Sequence, residues 1–228
     1  MQGPSAPADL APLIDHTLLK ADTTDQDISK LCAEAAKHGF KAVCVNPVFV
    51  RRTRELLAGT SVLTAAVVGF PLGLHESRVK ALEAELAVGA GAAEIDMMAR
   101  LDLIKAGNWR AVEEDVRAVV TAAGRASVKV ILETGLLSAA ELGDACRASE
   151  AGGAAFVKTS TGFLSRGASL EDMVIMRANC SLKVKIKASG GIKTFAQAAA
   201  LVTAGAERLG TSSGVFLVTG REAPAAGY

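Results

Sequence analysis

Two lysines, each closing a short apolar run, are the residues of this chain most suggestive of chemistry. In Ala154-Ala155-Phe156-Val157-Lys158-Thr159-Ser160-Thr161-Gly162 an apolar run is followed at once by an amine, three hydroxyls and a glycine. A buried strand reads this way when it ends at a polar pocket. Lys187 closes a second such run, in Lys183 to Ser189, just before Gly190-Gly191. A lysine at the last inward position of a buried strand is costly unless it is paired or neutral, and a neutral amine is a nucleophile for carbonyl carbon. The other reading of Lys158 alone is a strand cap that reaches into solvent. Neighbouring strands would bring Lys158 and Lys187 close, each cation disfavouring protonation of the other. At its reference pKa of about 10.4 a lysine is only about 0.04 % neutral at pH 7, whereas one lowered to about 7 is half neutral. That gain of roughly three orders of magnitude in free amine turns a strand-capping lysine into a candidate Schiff-base former.

Other apolar runs end in polar residues too: Asp15, Cys44 and Asn46, Asp96, Glu133 and Thr134, and Ser212-Ser213. Asp96 could carry the protons that a carbinolamine gains and loses on its way to an imine, or stand as a counter-ion to the lysines, and the two are compatible. Gly190-Gly191 and Gly210-Thr211-Ser212-Ser213-Gly214 have the glycines and hydroxyls of a phosphate cradle, against the plainer reading of a turn and a helix cap. Cys44 stands near this group without a basic neighbour in sequence, so packing is an alternative to thiol reactivity.

These exits are spaced by elements that alternate strictly. Strands are expected at Asp15–Leu19, Lys41–Asn46, Ser61–Gly69, Glu94–Met98, Val128–Thr134, Ala154–Lys158, Lys183–Ser189 and from Arg208. Between them lie helical segments, including one to Lys37 stopped by Gly39, one over Glu76–Val88 with Val79, Leu82 and Leu86 at helical spacing, and one over Asn108–Ala122. Ser138 with Glu141 predicts a capping box, Ser169 another helix start, and Gly214–Val218 a final helix. Eight such units predict a parallel sheet closed into a single (β/α)8 TIM barrel, with catalytic groups at the C-terminal strand ends and phosphate after strands seven and eight. A doubly wound open sheet would want a glycine fingerprint after its first strand; the nearest match, Gly89-x-Gly91, follows a helix instead. The barrel is expected over residues 10–219, between flexible tails at 1–9 and 220–228.

Composition narrows the function. The 228 residues carry 25 basic and 24 acidic side chains, interspersed, for a net charge of +1, which favours neither nucleic acid nor a membrane surface as partner. No apolar run approaches the ~20 residues of a membrane span. No signal peptide is read at the N-terminus. Four scattered cysteines and three dispersed histidines suit reduced thiols in a cytoplasmic protein with no metal site.

Asp15-His16-Thr17-Leu18-Leu19, Gly69-Phe70-Pro71-Leu72-Gly73, Glu94-Ile95-Asp96, Lys158-Thr159-Ser160-Thr161-Gly162, Lys187-Ala188-Ser189-Gly190-Gly191 and the terminal Gly227-Tyr228 together resemble the deoxyribose-phosphate aldolase family, from about Leu10 to Tyr228. The resemblance implies a class I, metal-independent and cofactor-free lyase on a TIM barrel. Such an enzyme reversibly cleaves 2-deoxy-D-ribose 5-phosphate to D-glyceraldehyde 3-phosphate and acetaldehyde in deoxyribonucleotide catabolism. It also implies a homodimer, Lys158 as the Schiff-base lysine, Asp96 and Lys187 as the proton donor and acceptor pair, and Asp15 as their helper. Gly162, Gly190, Gly191, Gly210, Ser212 and Ser213 would hold the phosphate, with Cys44, Thr17 and Tyr228 as accessory positions. Phe163 stands where some members carry a basic residue, for which Arg166 is a candidate substitute.

Side chains alternate along a strand, so Glu94 shares the parity of Asp96, and Lys183 and Lys185 that of Lys187. This predicts a buried acid/base layer beneath the site, with Glu94 facing Lys129 or Lys185. The competing reading has Lys183 and Lys185 snorkelling out through the bottom of the barrel.

Overall fold

The computed structural model describes residues 3–164 and 166–221. Its eight strands are β1 (Ile14–Leu18), β2 (Ala42–Val45), β3 (Leu63–Val68), β4 (Glu94–Met98), β5 (Ser127–Ile131), β6 (Phe156–Lys158), β7 (Lys185–Ser189) and β8 (Arg208–Thr211). All pair in parallel and in sequence order, and β8 returns to β1 to close the barrel. The helices outside it are α1 (Asp25–His38), α2 (Val50–Leu56), α3 (Ser77–Gly89), α4 (Leu101–Lys105), α5 (Trp109–Ala123), α6 (Ala139–Ala151), α7 (Leu170–Asn179), α8 (Phe195–Thr203) and α9 (Gly214–Thr219).

The helix starts follow from local chemistry. Capping boxes of Thr24 with Asp27, Ser138 with Glu141, Ser169 with Asp172 and Thr194 with Gln197 open α1, α6, α7 and α8, satisfying backbone donors that a helix start leaves unpaired. Gly39 ends α1 in the left-handed conformation, φ 67°.

Two apolar layers result from strand alternation. Outward residues such as Val43, Ala66, Val68, Ile95, Val130, Val157, Ile186 and Leu209 pack against the helices. Inside, β2 and β3 contribute the small apolar set Ala42, Cys44, Ala65 and Val67, beside Leu19. The rest of the interior, from β4 round to β1, carries the charges: Asp15, Glu94, Asp96, Lys129, Lys158, Lys187 and Arg208 are all buried. Phe156 floors this half, with Lys129, Lys185 and Arg208 at 5.9, 5.7 and 5.4 Å from its ring centre.

The structure departs from the sequence reading in several places. β5 stops at Ile131, short of Thr134, because Glu133 takes a left-handed backbone, φ 53°, that no strand continues through. A short helix, α4, was not foreseen. The apolar repeat of α3 faces outward: Val79, Leu82 and Leu86 are 45, 54 and 65 % exposed. The buried face is Lys80, Ala84 and Ala87. Lys80 makes this possible through a 2.5 Å ion pair with buried Asp115 of α5 and a 3.1 Å bond to the Met98 carbonyl, which satisfy a charge that packing alone would expel. Tyr228 and most of the segment read as a C-terminal tail lie outside the described residues.

Candidate active site

Register brings the charged residues together. β4 lays Asp96 beside Lys129 of β5, β6 lays Lys158 beside Lys187 of β7, and β7 lays Lys187 beside Arg208 of β8. The Lys158 amine donates to Asp96 Oδ2 at 2.8 Å, and Lys187 donates to the same oxygen at 2.7 Å. One carboxylate oxygen thus holds both amines. Lys187 also reaches Asp15 Oδ2 at 2.5 Å. The other oxygen of Asp96 accepts from Lys129 at 2.8 Å. Below, Glu94 pairs with Lys129 at 2.6 Å and accepts both arms of the Arg208 guanidinium at 2.9 and 3.0 Å, while Arg208 also donates to Asp15 at 2.6 Å.

The proton affinities in this cluster are pushed apart. Burial lowers the Lys158 pKa, the nearby Lys187 cation lowers it further, and Asp96 only partly restores it. Burial works against the Lys187 cation as well, but Asp15 and Asp96 outweigh it and leave that amine firmly protonated. Lys129 is likewise raised, Asp96 and Asp15 outweighing its burial. Burial opposes the ionised Asp15, yet Lys187, Lys129 and Arg208 hold it at about 2, and Lys129, Lys158 and Lys187 hold Asp96 well below the usual carboxylate range against its own burial. Among these five lysines and aspartates of the mouth, only Lys158 is biased toward the uncharged form a nucleophile needs.

Lys158 also lies on the wall of a cavity of about 270 Å³ at the C-terminal ends of the strands. Its other lining includes Thr17, Gly162, Gly190, Gly191, Gly210, Ser212 and Ser213, so the positions singled out after β6, β7 and β8 share one cavity with the amine. Gly210 serves the amines too, since a Cβ there would sit 2.9 Å from Lys187 Cε and from Ser189 Cβ. At Gly167 a Cβ would come within 2.0 Å of the Gly190 carbonyl oxygen, so the loops after β6 and β7 touch backbone to backbone.

The hydroxyls of the Lys158-Thr159-Ser160-Thr161 run are spent on holding these loops. Thr159 donates to the Ser189 carbonyl at 2.9 Å, the Ser160 carbonyl accepts from Ser189 at 2.6 Å, and Glu133 accepts from the Thr161 amide and hydroxyl at 2.9 and 2.6 Å. Glu133, a strand-exit candidate, therefore braces a loop, and Thr134 donates to Asp172 at 2.9 Å. Cys44 is buried among the same charges, and burial together with Asp96 pushes its thiol up to about 11. Arg166 forks onto Asp172 at 2.6 and 2.8 Å and is not part of the cavity lining. Besides Lys158, the basic residue that does line it is Lys193, which the sequence reading passed over, as it did Arg208. Of the two partners expected for Glu94, Lys129 is the one that meets it; Lys185 is exposed at the barrel floor.

Residues 10–223 match the profile of the DeoC/LacD family aldolases. The chain belongs to that family. As a DeoC/LacD family aldolase it is a lyase, and its relatives match it over most of its length. It is 48 % identical over 215 residues to the deoxyribose-phosphate aldolase of Brevibacillus brevis, covering 94 % of this chain and 97 % of that one. It is 49 % identical to that of Geobacillus sp. strain WCH70, at 94 and 96 % coverage. The tetrameric deoxyribose phosphate aldolase of Aeropyrum pernix superposes with a TM-score of 0.89 at 36 % identity, covering 95 % of this chain and 92 % of that chain.

Proposed function

We propose that this aldolase cleaves 2-deoxy-D-ribose 5-phosphate, reversibly, to D-glyceraldehyde 3-phosphate and acetaldehyde through an imine on Lys158, as a step of deoxyribonucleotide catabolism. The observation that carries the reading is that Lys158, alone of the clustered amines, is biased toward its neutral form and borders the cavity. The neutral amine adds to the C1 aldehyde of the open-chain sugar, and the carbinolamine loses water to an iminium. Removal of the C3 hydroxyl proton then lets the C2–C3 bond break, its electron pair passing into the iminium to form an enamine while C3 leaves as the aldehyde of glyceraldehyde 3-phosphate. Protonation of C2 and addition of water release acetaldehyde and return the amine. Asp96, in contact with both amines, and Lys187, held protonated by Asp15, are the groups in reach for the proton transfers. The phosphate is held by Gly162, Gly190, Gly191, Gly210, Ser212 and Ser213, with the Lys193 cation in the same lining. This chemistry runs on side chains alone, without a cofactor.

Borohydride trapping tests the reading. Incubation with acetaldehyde, reduction, digestion and mass spectrometry should give one ethylated lysine, Lys158, dependent on added aldehyde. No adduct, or one spread over surface lysines, would remove the imine mechanism.

The barrel over residues 10–219 acts as one domain between short terminal segments. A cytoplasmic setting is supported by the four unpaired cysteines. No described helix is long and apolar enough to cross a membrane. We further propose that two copies associate through α3, which presents Val79, Leu82 and Leu86 outward and follows a loop with exposed Leu72 and Leu74. Light scattering should then give twice the 23.4 kDa chain mass, and Leu82→Glu with Leu86→Glu should return it to one chain. A native mass of one chain would refute the pairing.

A further inference from the structure

The charged half of the barrel interior is unbalanced. Three carboxylates, Asp15, Glu94 and Asp96, face four cationic side chains, Lys129, Lys158, Lys187 and Arg208. The count covers every described strand: β2 presents Ala42 and Cys44 to the interior, and β3 the apolar Ala65 and Val67. Lys185 sits outside it, exposed at the floor over Phe156, and Glu133 is engaged with Thr161. With every cation protonated the buried group carries one positive charge more than it can pair. With one amine neutral it balances.

Which amine is neutral follows from the contacts. Lys187 has two aspartates, and Lys129 has Glu94 and Asp96 at bonding distance and Asp15 at 3.7 Å. Arg208 cannot lose its proton at all. Lys158 has Asp96 alone, through an oxygen it shares with Lys187. Arg208 is therefore the fixed charge that makes the surplus, and it touches neither Lys158 nor the cavity lining.

We propose that Arg208 is a positioning residue for the lysine chemistry: clamped between Glu94 and Asp15 below the site, it supplies the buried positive charge that the cluster sheds by leaving the Lys158 amine uncharged. The fork onto Glu94 holds that carboxylate against Lys129, and the bond to Asp15 holds the partner of Lys187. The arrangement thus sets both the charge and the geometry around the reacting amine. This inference rests on the imine reading above.

The test is the pH dependence of Lys158 ethylation by acetaldehyde and borohydride, in wild type, Arg208→Met, Arg208→Lys and Glu94→Gln, with thermal unfolding of each. Wild type must first give the Lys158 adduct; without it the imine reading itself falls. Given the adduct, Arg208→Met should move the acid limb of the profile to higher pH by about one to two units, the scale for one charge removed about 6–12 Å away at an effective dielectric of about 20. Glu94→Gln, which adds to the surplus, should move it to lower pH. Arg208→Lys keeps the charge and loses the fork, so its limb should stay with wild type while its plateau rate falls. Limbs that coincide in folded Arg208→Met and Glu94→Gln, or that move in the same direction, would overturn the proposal. Should Arg208→Met fail to fold, the direction of the Glu94→Gln shift decides it.

Discussion

Lys158→Met should lower aldol cleavage by about 10⁴-fold or more while leaving the protein at least as stable as wild type. The loss follows from the covalent step, since no neighbouring amine can replace the nucleophile: Lys187 and Lys129 are held protonated by their carboxylates. The retained stability follows from the direction of the Lys158 pKa. A lysine whose folded pKa is lowered binds fewer protons folded than unfolded between the two values, so folding there pays a deprotonation cost that shrinks as pH rises. Methionine fills nearly the same volume and removes that cost, and Asp96 keeps Lys129 and Lys187. Unfolding temperatures measured from pH 6 to 9 should rise more steeply with pH in wild type than in the variant. A marked loss of stability would mean that Lys158 serves the fold as a charged strut.

Asp96→Asn should behave in the opposite way. It leaves Lys129, Lys158 and Lys187 without the carboxylate they share, and removing one partner from a buried ionic group costs about 3–5 kcal/mol. For a domain of this size that corresponds to a fall of about 10 °C in unfolding temperature. Proton transfer through Asp96 would be lost as well, for a decrease of about 10²–10⁴-fold in kcat. The folded pKa of Asp96 is depressed, so its contribution to stability is complete above its unfolded pKa of about 3.9 and is lost as pH falls through the folded value. Wild type should therefore lose stability below about pH 4 more steeply than the variant. Calorimetry of the two proteins from pH 3 to 7 checks both the offset and the slope.

How much of this was legible depended on whether a signal was local. The barrel was, because period-two and helical patterns alternate and because boxes such as Ser138 with Glu141 announce their helices. Lys158, Lys187 and Asp96 were legible as strand exits, and parity pointed to Glu94. What parity alone could not do was choose between Lys129 and Lys185, which differ in height along the barrel. Lys185 opens β7 and stays at the open floor, whereas Lys129 sits mid-strand beside Asp96. Arg208 shares the parity of Gly210 and so was within reach of the same argument. The outward turn of Val79, Leu82 and Leu86 was not, because the face that α3 buries is decided by a partner to Lys80 that lies 35 residues on, in Asp115. Lys193 was hidden behind Gly190-Gly191, whose glycines drew attention to the backbone.

Asp15 and its cationic partners belong to opposite ends of the chain, Lys187 being 172 residues away in sequence and Arg208 193. A polypeptide still emerging from the ribosome can carry seven strands and still lack the guanidinium that supplies the surplus charge. The catalytic centre is thus finished by the same event that seals the barrel, the docking of β8 on β1. A chain cut short before residue 208 would carry Lys158 and Asp96 yet lack both the guanidinium that bridges Asp15 and Glu94 and the strand that closes the barrel.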